Sequence, residues 1–306
     1  MIDSEDLPLN VSREMLQNNP VVNKIRSGIT KKVLGTIEKI GDKDKEGYKD
    51  FLHNFGSVLK EGLYEDVQNR EQIFKILRFK TTHGDEETSL ADYVSRMKDN
   101  QDGIYYLTGE NIDLMKASPH LEGFKAKGLE VLLLDTSIDE FWVPAVDGFD
   151  GKPFKSVTRV AADQPKDDDK QDDTKEEASK SNDLTDFIKQ TLGQSVREVR
   201  LTSSLTDSPV RLVSAEGDID MNLERLLRQH NQLDKSFTRI LEVNPDHAVI
   251  QKLQAMLDKG QDNDLLDSTA WLLLDQARIM EGEGVLDTQK FAQRLAKALE
   301  KGLIAA

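Results

Sequence analysis

Residues 161–182 read AADQPKDDDKQDDTKEEASKSN, with eight acidic and four basic residues and no apolar side chain larger than alanine. A segment of this composition cannot bury enough apolar surface to offset the entropy lost on ordering it. It predicts a linker or mobile loop with a folded region on each side. The chain of 306 residues is long enough for two or three domains, since single cores stop growing at roughly 250 to 300 residues.

The first region opens with helical periodicity. Asn10 or Ser12 can cap the start of SREMLQ, and Val21, Ile25, Ile29, Val33 and Ile37 recur every four residues. Tyr48, Phe51, Leu52, Phe55, Val58 and Leu59 form a second amphipathic run after the turn-like GDKDKEG, so two packed helices are expected. Beyond Gly62 the pattern changes to a strand over 104–107, a helix over 111–127 broken at Pro119, and a buried strand over 129–134. That order predicts a β-α-β unit with parallel strands and a right-handed crossover. The second region mixes helices over 184–192 and 219–229 with strands over 196–201, 210–213 and 238–243, an α+β pattern. It closes with helices over 265–280 and 288–301 around GEGVLD, where Asp287 can cap the second, giving a helical hairpin.

Composition narrows the chemistry. The formal net charge is -15, which opposes a nucleic-acid partner, because such binding needs clustered Lys and Arg to release counterions. Lys24, Arg26, Lys31 and Lys32 alternate with apolar residues at helical spacing and read as a solvated helix face. With no cysteine there is neither a disulfide framework nor a thiolate metal site, and the start MIDSEDLPLN lacks the regions of a signal peptide, so a cytoplasmic protein is expected. The longest apolar runs, such as Val131 to Leu134 and Trp271 to Leu274, fall far short of a membrane span.

Enzyme motifs are absent: there is no GxxxxGK[ST], GxGxxG, GxSxG or HExxH. His53, His83, His120, His230 and His247 never pair at the spacing that puts two imidazoles on one helix face, so no metal site is expected, and Asp167 to Asp169 read as solvated. Arg13 and Gln17 share one helix face. Spacing alone makes Arg13 a surface residue, although a guanidinium suits the charge of a transferring phosphoryl group. Phe141 and Trp142 read as core, as does the stripe of Ile219, Leu223, Leu226 and Leu227. The stripe of Phe291, Leu295, Ala298 and Leu299 divides evenly between docking on its own domain and a twofold interface.

The segments SEDLPLNVSREMLQ, LRFKTTHGDEETSLADYVSRMKDNQDGIYYLTGEN, ASPHLEGFKAKGLEVLLL, IDEF, FDGKPFKSV, VREVRLTSSLTDSPV, LEVNPDH and LLLDQARIMEG, in this order, resemble the ninety-kilodalton heat-shock chaperone family in its bacterial form. The resemblance covers nearly everything except the acidic segment. It implies a homodimeric ATP-dependent chaperone, of which this chain carries part of the middle domain and the C-terminal dimerisation domain, without the ATP-binding domain. The expected organisation is a helical unit over 1–62 with the catalytic-loop arginine, an α/β/α unit over 63–160, the acidic linker over 161–182 and an α+β dimerisation domain over 183–306.

By the same resemblance, Arg13 matches the arginine that reaches the ATP γ-phosphate and Gln17 its polar partner. Glu140, Phe141 and Trp142, with Ile219, Leu223, Leu226 and Leu227, fall on client-contacting surfaces; leucine at 223 and 227 replaces more adaptable methionine. Trp271, Leu274, Phe291, Leu295 and Leu299 fall on a four-helix dimer interface. The implied partners are a second copy, partly folded client proteins and other chaperones, without nucleic acid or membrane. No ATP hydrolysis and no cofactor is expected of this chain alone; ATP and magnesium belong to the full-length protein. A structural dimerisation scaffold is the alternative, and a small-molecule enzyme lacks any nucleophile and base to support it.

Overall fold

A computed structural model of the chain describes residues 20–160, 175–215, 217–233, 237–260 and 262–304. Arg13 and Gln17 lie outside the described residues, as does 161–174. The chain divides into two compact units. The first takes residues up to 79 with 87–96 and 141–146, and the second takes 80–86, 97–140 and the chain from 147 onward.

In the first unit, helices α1 (Pro20–Lys43), α2 (Lys45–Glu65) and α3 (Arg70–Ile76) pack on one another, followed by the short α4 (Leu90–Ser95). Asp44 caps α2 by accepting from the Gly47 amide at 3.0 Å. The four-residue repeat of α1 does not all turn inward: Leu34 is buried while Val33 is 50% exposed. Each four-residue step overshoots a full turn by about 40°, so the repeat drifts off the seam and the neighbouring leucine takes its place. In α2, Tyr48 and Leu63 are buried, whereas Phe55 and Val58 are exposed. Trp142 is wholly buried, with Phe74 edge-on at 5.8 Å between ring centroids and Phe79 at 6.1 Å.

The second unit contains two mixed sheets, a mixed α+β architecture. The strands β1 (Phe79–Thr81), β2 (Gly84–Thr88), β3 (Ile104–Thr108), β4 (Leu132–Leu134) and β5 (Phe154–Ser156) lie in the order β2-β1-β4-β3-β5. Strands β3 and β4 run parallel, with Tyr106 opposite Leu132 and Thr108 opposite Leu134. They are joined through α5 (Ile112–Lys116), a tight turn at Pro119–Leu121 and α6 (Glu122–Ala126). The expected β-α-β unit and its break at Pro119 are both present. Strand β5 pairs parallel on the other side of β3, and β1 antiparallel to β4. The sequence pattern missed β1, β2 and β5, because strands of three residues, or the wholly polar GDEET of β2, show no alternation to read. The short α8 (Val157–Val160) completes this part, and the short α7 (Asp139–Trp142) begins in it and continues into the first unit at Phe141.

Helix α9 (Lys175–Leu192) takes in the end of the acidic segment. The second sheet places β8 (Ile240–Val243) between β6 (Glu198–Leu201), to which it is parallel, and β7 (Val210–Val213), to which it is antiparallel. Its core is closed by Leu184, Ile188 and Leu192 of α9, by α11 (Ala248–Asp258), and by Leu266, Ala270, Leu273 and Leu274 of α12 (Asn263–Met280). Helix α11 was not expected, although Ile250 and Leu253 lie on its buried side. Helix α10 (Met221–Gln229) precedes β8, and α13 (Thr288–Ile304) ends the hairpin. Within the sheet the buried Glu242 lies opposite both Arg200 and Arg211, accepting from Arg200 Nε at 3.0 Å and Arg211 Nε at 2.7 Å. Paired on both sides, its charge avoids the cost of unpaired burial.

The α/β part and the C-terminal part of this unit are tied by Glu122 at the start of α6. Its Oε2 accepts from the amides of Thr206, Asp207 and Ser208 at 2.7, 2.9 and 3.2 Å, and Oε1 from Ser208 Oγ at 2.5 Å. Burial works to raise its pKa, but the Ser208 hydroxyl and the three amides together hold it below the usual carboxylate value. Glu122→Ala should destabilise the chain by about 2 kcal/mol, read as a lower urea midpoint; an unchanged midpoint would show that water replaces the carboxylate at no cost.

Candidate functional site

Of the residues singled out from sequence, Ile219, Leu223, Leu226 and Leu227 lie on or just before helix α10, and Trp271, Leu274, Phe291, Leu295 and Leu299 lie in the terminal hairpin. Asp220 caps α10, its Oδ1 accepting from the Asn222 amide at 3.1 Å. Its other oxygen accepts from Ser156 Oγ at 2.9 Å and Thr158 Oγ1 at 2.8 Å, both buried. Asn222 then donates through Nδ2 to the Thr108 carbonyl at 2.6 Å. The end of β5, the start of α8 and the start of α10 therefore converge on one carboxylate, and Asn222 ties the end of β3 beside it.

Glu140 faces this cluster and is only 9% exposed. Burial, followed by the like charge of Asp220, pushes its carboxyl up to about 8, against a hydrogen bond with Thr108 and the positive charge of Arg225, which favour the ionised form. Burial and Asp220 likewise hold the Tyr106 phenol well above its ordinary value. Asp139, wholly buried beside Glu140, accepts from the Thr136 amide at 3.1 Å and its hydroxyl at 2.6 Å. His120, also buried, sets Nε2 3.0 Å from Glu281 Oε1.

Along α10, Met221 and Glu224 are the buried positions. Ile219, Leu223, Leu226 and Leu227 are half-buried, so the apolar stripe neither fills a core nor stands fully in water. Glu224 forms an ion pair with Arg239, which also donates to Ser214 Oγ at 3.2 Å. Of the IDEFW residues, Phe141 is 42% exposed, whereas Trp142 is a core residue of the first unit. The structure thus corrects Trp142 from a contact surface to the interior, as its aromatic neighbours Phe74 and Phe79 require.

In the terminal hairpin, Trp271 is half-buried beneath the Arg294 guanidinium, 4.8 Å from its ring centroid. Leu274 is 1% exposed and packs in the protomer's own core, which corrects its assignment to an interface. Phe291 is half-buried, but Leu295 and Leu299 are 41% and 58% exposed, and Ile279 and Leu286 are also open to solvent. Asp275, buried beside this surface, lies 3.8 Å from Arg294, and burial raises its pKa. Sequence reasoning missed Asp220, Asp275 and Arg294. An Asp ahead of an apolar-periodic run is a cap signal and could have located Asp220; the buried pairing of Asp275 had no local signal.

The family model described as Hsp90 protein matches residues 1–306. The chain is 49% identical over 309 residues to a protein named Chaperone protein HtpG from Paramagnetospirillum magneticum, covering 99% of this chain and 50% of that relative. It is 50% identical over 309 residues to the protein of the same name from Roseobacter denitrificans, again over 99% of this chain and 50% of the relative. A Rhizobium meliloti relative of that name is 43% identical over 307 residues. The chain belongs to the Hsp90 family. It spans about half the length of the curated relatives it matches. Among the described residues no helix is long and apolar enough to cross a membrane.

A pH dependence follows from Glu140. Between its ordinary value of 4.5 and about 8, the folded chain holds a proton that the unfolded chain has released. Stability is greatest below that window and declines as pH rises through it. Glu140→Gln should flatten the fall in urea midpoint across the window; an identical pH profile in the variant would remove Glu140 as its source.

Proposed function

We propose that this chain is the client-binding and self-associating part of an Hsp90-type chaperone. The observation that carries the self-association is the terminal hairpin, in which Leu295 and Leu299 of α13 and Leu286 in the turn before it stand exposed beside α12, whose other face is already covered by the core. Burying a leucine fully is worth roughly 1.5 to 3 kcal/mol, so a second copy laid against this edge, with Phe291 and Trp271 at its margin, gains a stable four-helix contact. The names of the HtpG relatives support the chaperone reading.

Client segments contact the half-buried leucines of α10, Leu223, Leu226 and Leu227, with Ile219, and the exposed Phe141 that follows the buried Glu140. These positions join adaptable apolar area to polar groups, a combination suited to partly folded chains. In the longer protein, ATP and magnesium drive the cycle, and Arg13 with Gln17 reaches the γ-phosphate; a guanidinium supplied from another domain couples hydrolysis to closure. The setting proposed is the bacterial cytoplasm, in co-operation with other chaperones.

A scaffold that only dimerises shares the hairpin but not the client surface. Suppression of heat-induced aggregation of an unfolded test protein, lost in Leu223→Asp, is expected of the chaperone and not of the scaffold. Light scattering should give a dimer at low micromolar concentration and a monomer for Leu295→Asp; an unchanged mass in the variant removes this interface.

A further inference from the structure

The formal net charge is -15, yet one cleft in the second unit runs the other way. It lies between α10 and the turn joining α12 to α13, encloses ≈ 500 Å³, and is lined by Arg225, Arg228 and Arg278. The carboxylates around it are already engaged. Glu224 is buried against Arg239 and accepts from the Phe237 amide at 3.2 Å. Glu283 pairs with Arg278 at 3.0 Å, and Glu281 faces His120. Arg225 donates to the Glu281 carbonyl at 3.3 Å and lies 3.7 Å from the exposed Glu110. Arg228 is exposed, and its side chain has no hydrogen-bond or ion-pair partner among the described residues.

At Arg225 the cleft meets a second one of ≈ 280 Å³, between the β3–α5 turn and residues 280–282. Its lining is mixed: Leu114, 68% exposed, and Met280, 44% exposed, supply apolar surface at its edges alongside Glu110, Asn111 and Asn222. A β-carbon added at Gly109, in the turn, would lie 2.8 Å from Met115 Cγ, so the turn packs closely on that side chain. The two clefts share Arg225 and Gly282 and form one groove, lined by arginines at one end and mixed at the other, with apolar edges at Leu114 and Met280.

Guanidinium groups bind carboxylates through paired, directed hydrogen bonds, and more strongly where the groove wall excludes part of the water. Exposed leucine and methionine beside them supply adaptable apolar contact. A small inorganic anion would use only the basic end, and the basic cleft alone is within the roughly 300 to 1,000 Å³ of sites that hold larger ligands. We propose that the groove takes an extended peptide segment in which an acidic residue lies beside an apolar one, the carboxylate on Arg228 and Arg225 and the apolar side chain between Leu114 and Met280. This rests on the client-binding reading and narrows it to acidic–apolar segments.

The test is fluorescence anisotropy on the whole chain with a labelled peptide of leucine and phenylalanine flanked by glutamates, its lysine-flanked counterpart, and inorganic phosphate as competitor. The glutamate peptide is expected to bind about tenfold more tightly than the lysine peptide, weakening with salt, and Arg228→Glu to reverse that order. Met280→Asp should weaken both peptides. Equal binding of the two peptides, or an order unmoved by Arg228→Glu, overturns the groove. Phosphate that competes as well as the glutamate peptide reduces it to a small-anion site and overturns it too. Aggregation suppression, measured in parallel, separates the two readings. Suppression retained without any charge preference defeats the groove alone, whereas an Arg228-dependent preference in a chain that suppresses nothing supports the groove and removes the client reading.

Discussion

Two carboxylates placed at the junction of the α/β part and the C-terminal part set the geometry of the second unit. Asp220 draws together Ser156, Thr158 and the first turn of α10, and Glu122 gathers three successive amides of the loop before β7. A carboxylate buried like Asp220, or half-buried like Glu122, is held at low cost only if its acceptor sites are filled, because leaving them empty forfeits the desolvation energy without return. The hydroxyls and amides that fill them belong to elements far apart in sequence. Each carboxylate therefore fixes a long-range arrangement that apolar contacts, being non-directional, would leave free to slide.

Once Asp220 is satisfied in this way, its charge acts on its neighbours. Glu140 and Tyr106 lie within reach of it and are both held towards their neutral forms. Arg225 offsets part of that field from the C-terminal side. The same arginine lines the basic groove and bonds the carbonyl at the end of α12. The polar junction, helix α10 and the start of the terminal hairpin are thus linked through one side chain, which places the proposed client surface and the proposed dimerising helices on a continuous set of polar contacts.

Trp142 and Leu274 were placed on contact surfaces by the family resemblance, although the sequence pattern alone read Trp142 as core. Phe141 and Trp142 are adjacent on a helix and face different ways, whereas Trp271 and Leu274, three residues apart, share a face and differ in burial. Phe141 and Trp271 keep solvent-accessible area, whereas Trp142 fills the space between Phe74 and Phe79 and Leu274 closes the core beneath the hairpin.

The sequence by itself determined the β-α-β unit with its break at Pro119, the amphipathic helix around Leu223 and the closing hairpin, because each is announced by local periodicity, a proline or a cap. It also carried, through motifs in fixed order, the membership of the Hsp90 family. Short strands such as β1 and β5 were not legible, since three residues are too few to show alternation and their pairing partners lie elsewhere in the chain. Only the tertiary structure decided which side of each helix is covered and which charges meet: Leu34 in place of Val33, Glu140 against Asp220, Asp275 against Arg294, and the arginines left to face solvent along α10. Burial and charge pairing are properties of neighbours brought together by the fold, and a linear pattern records a residue's chemistry without recording who stands beside it.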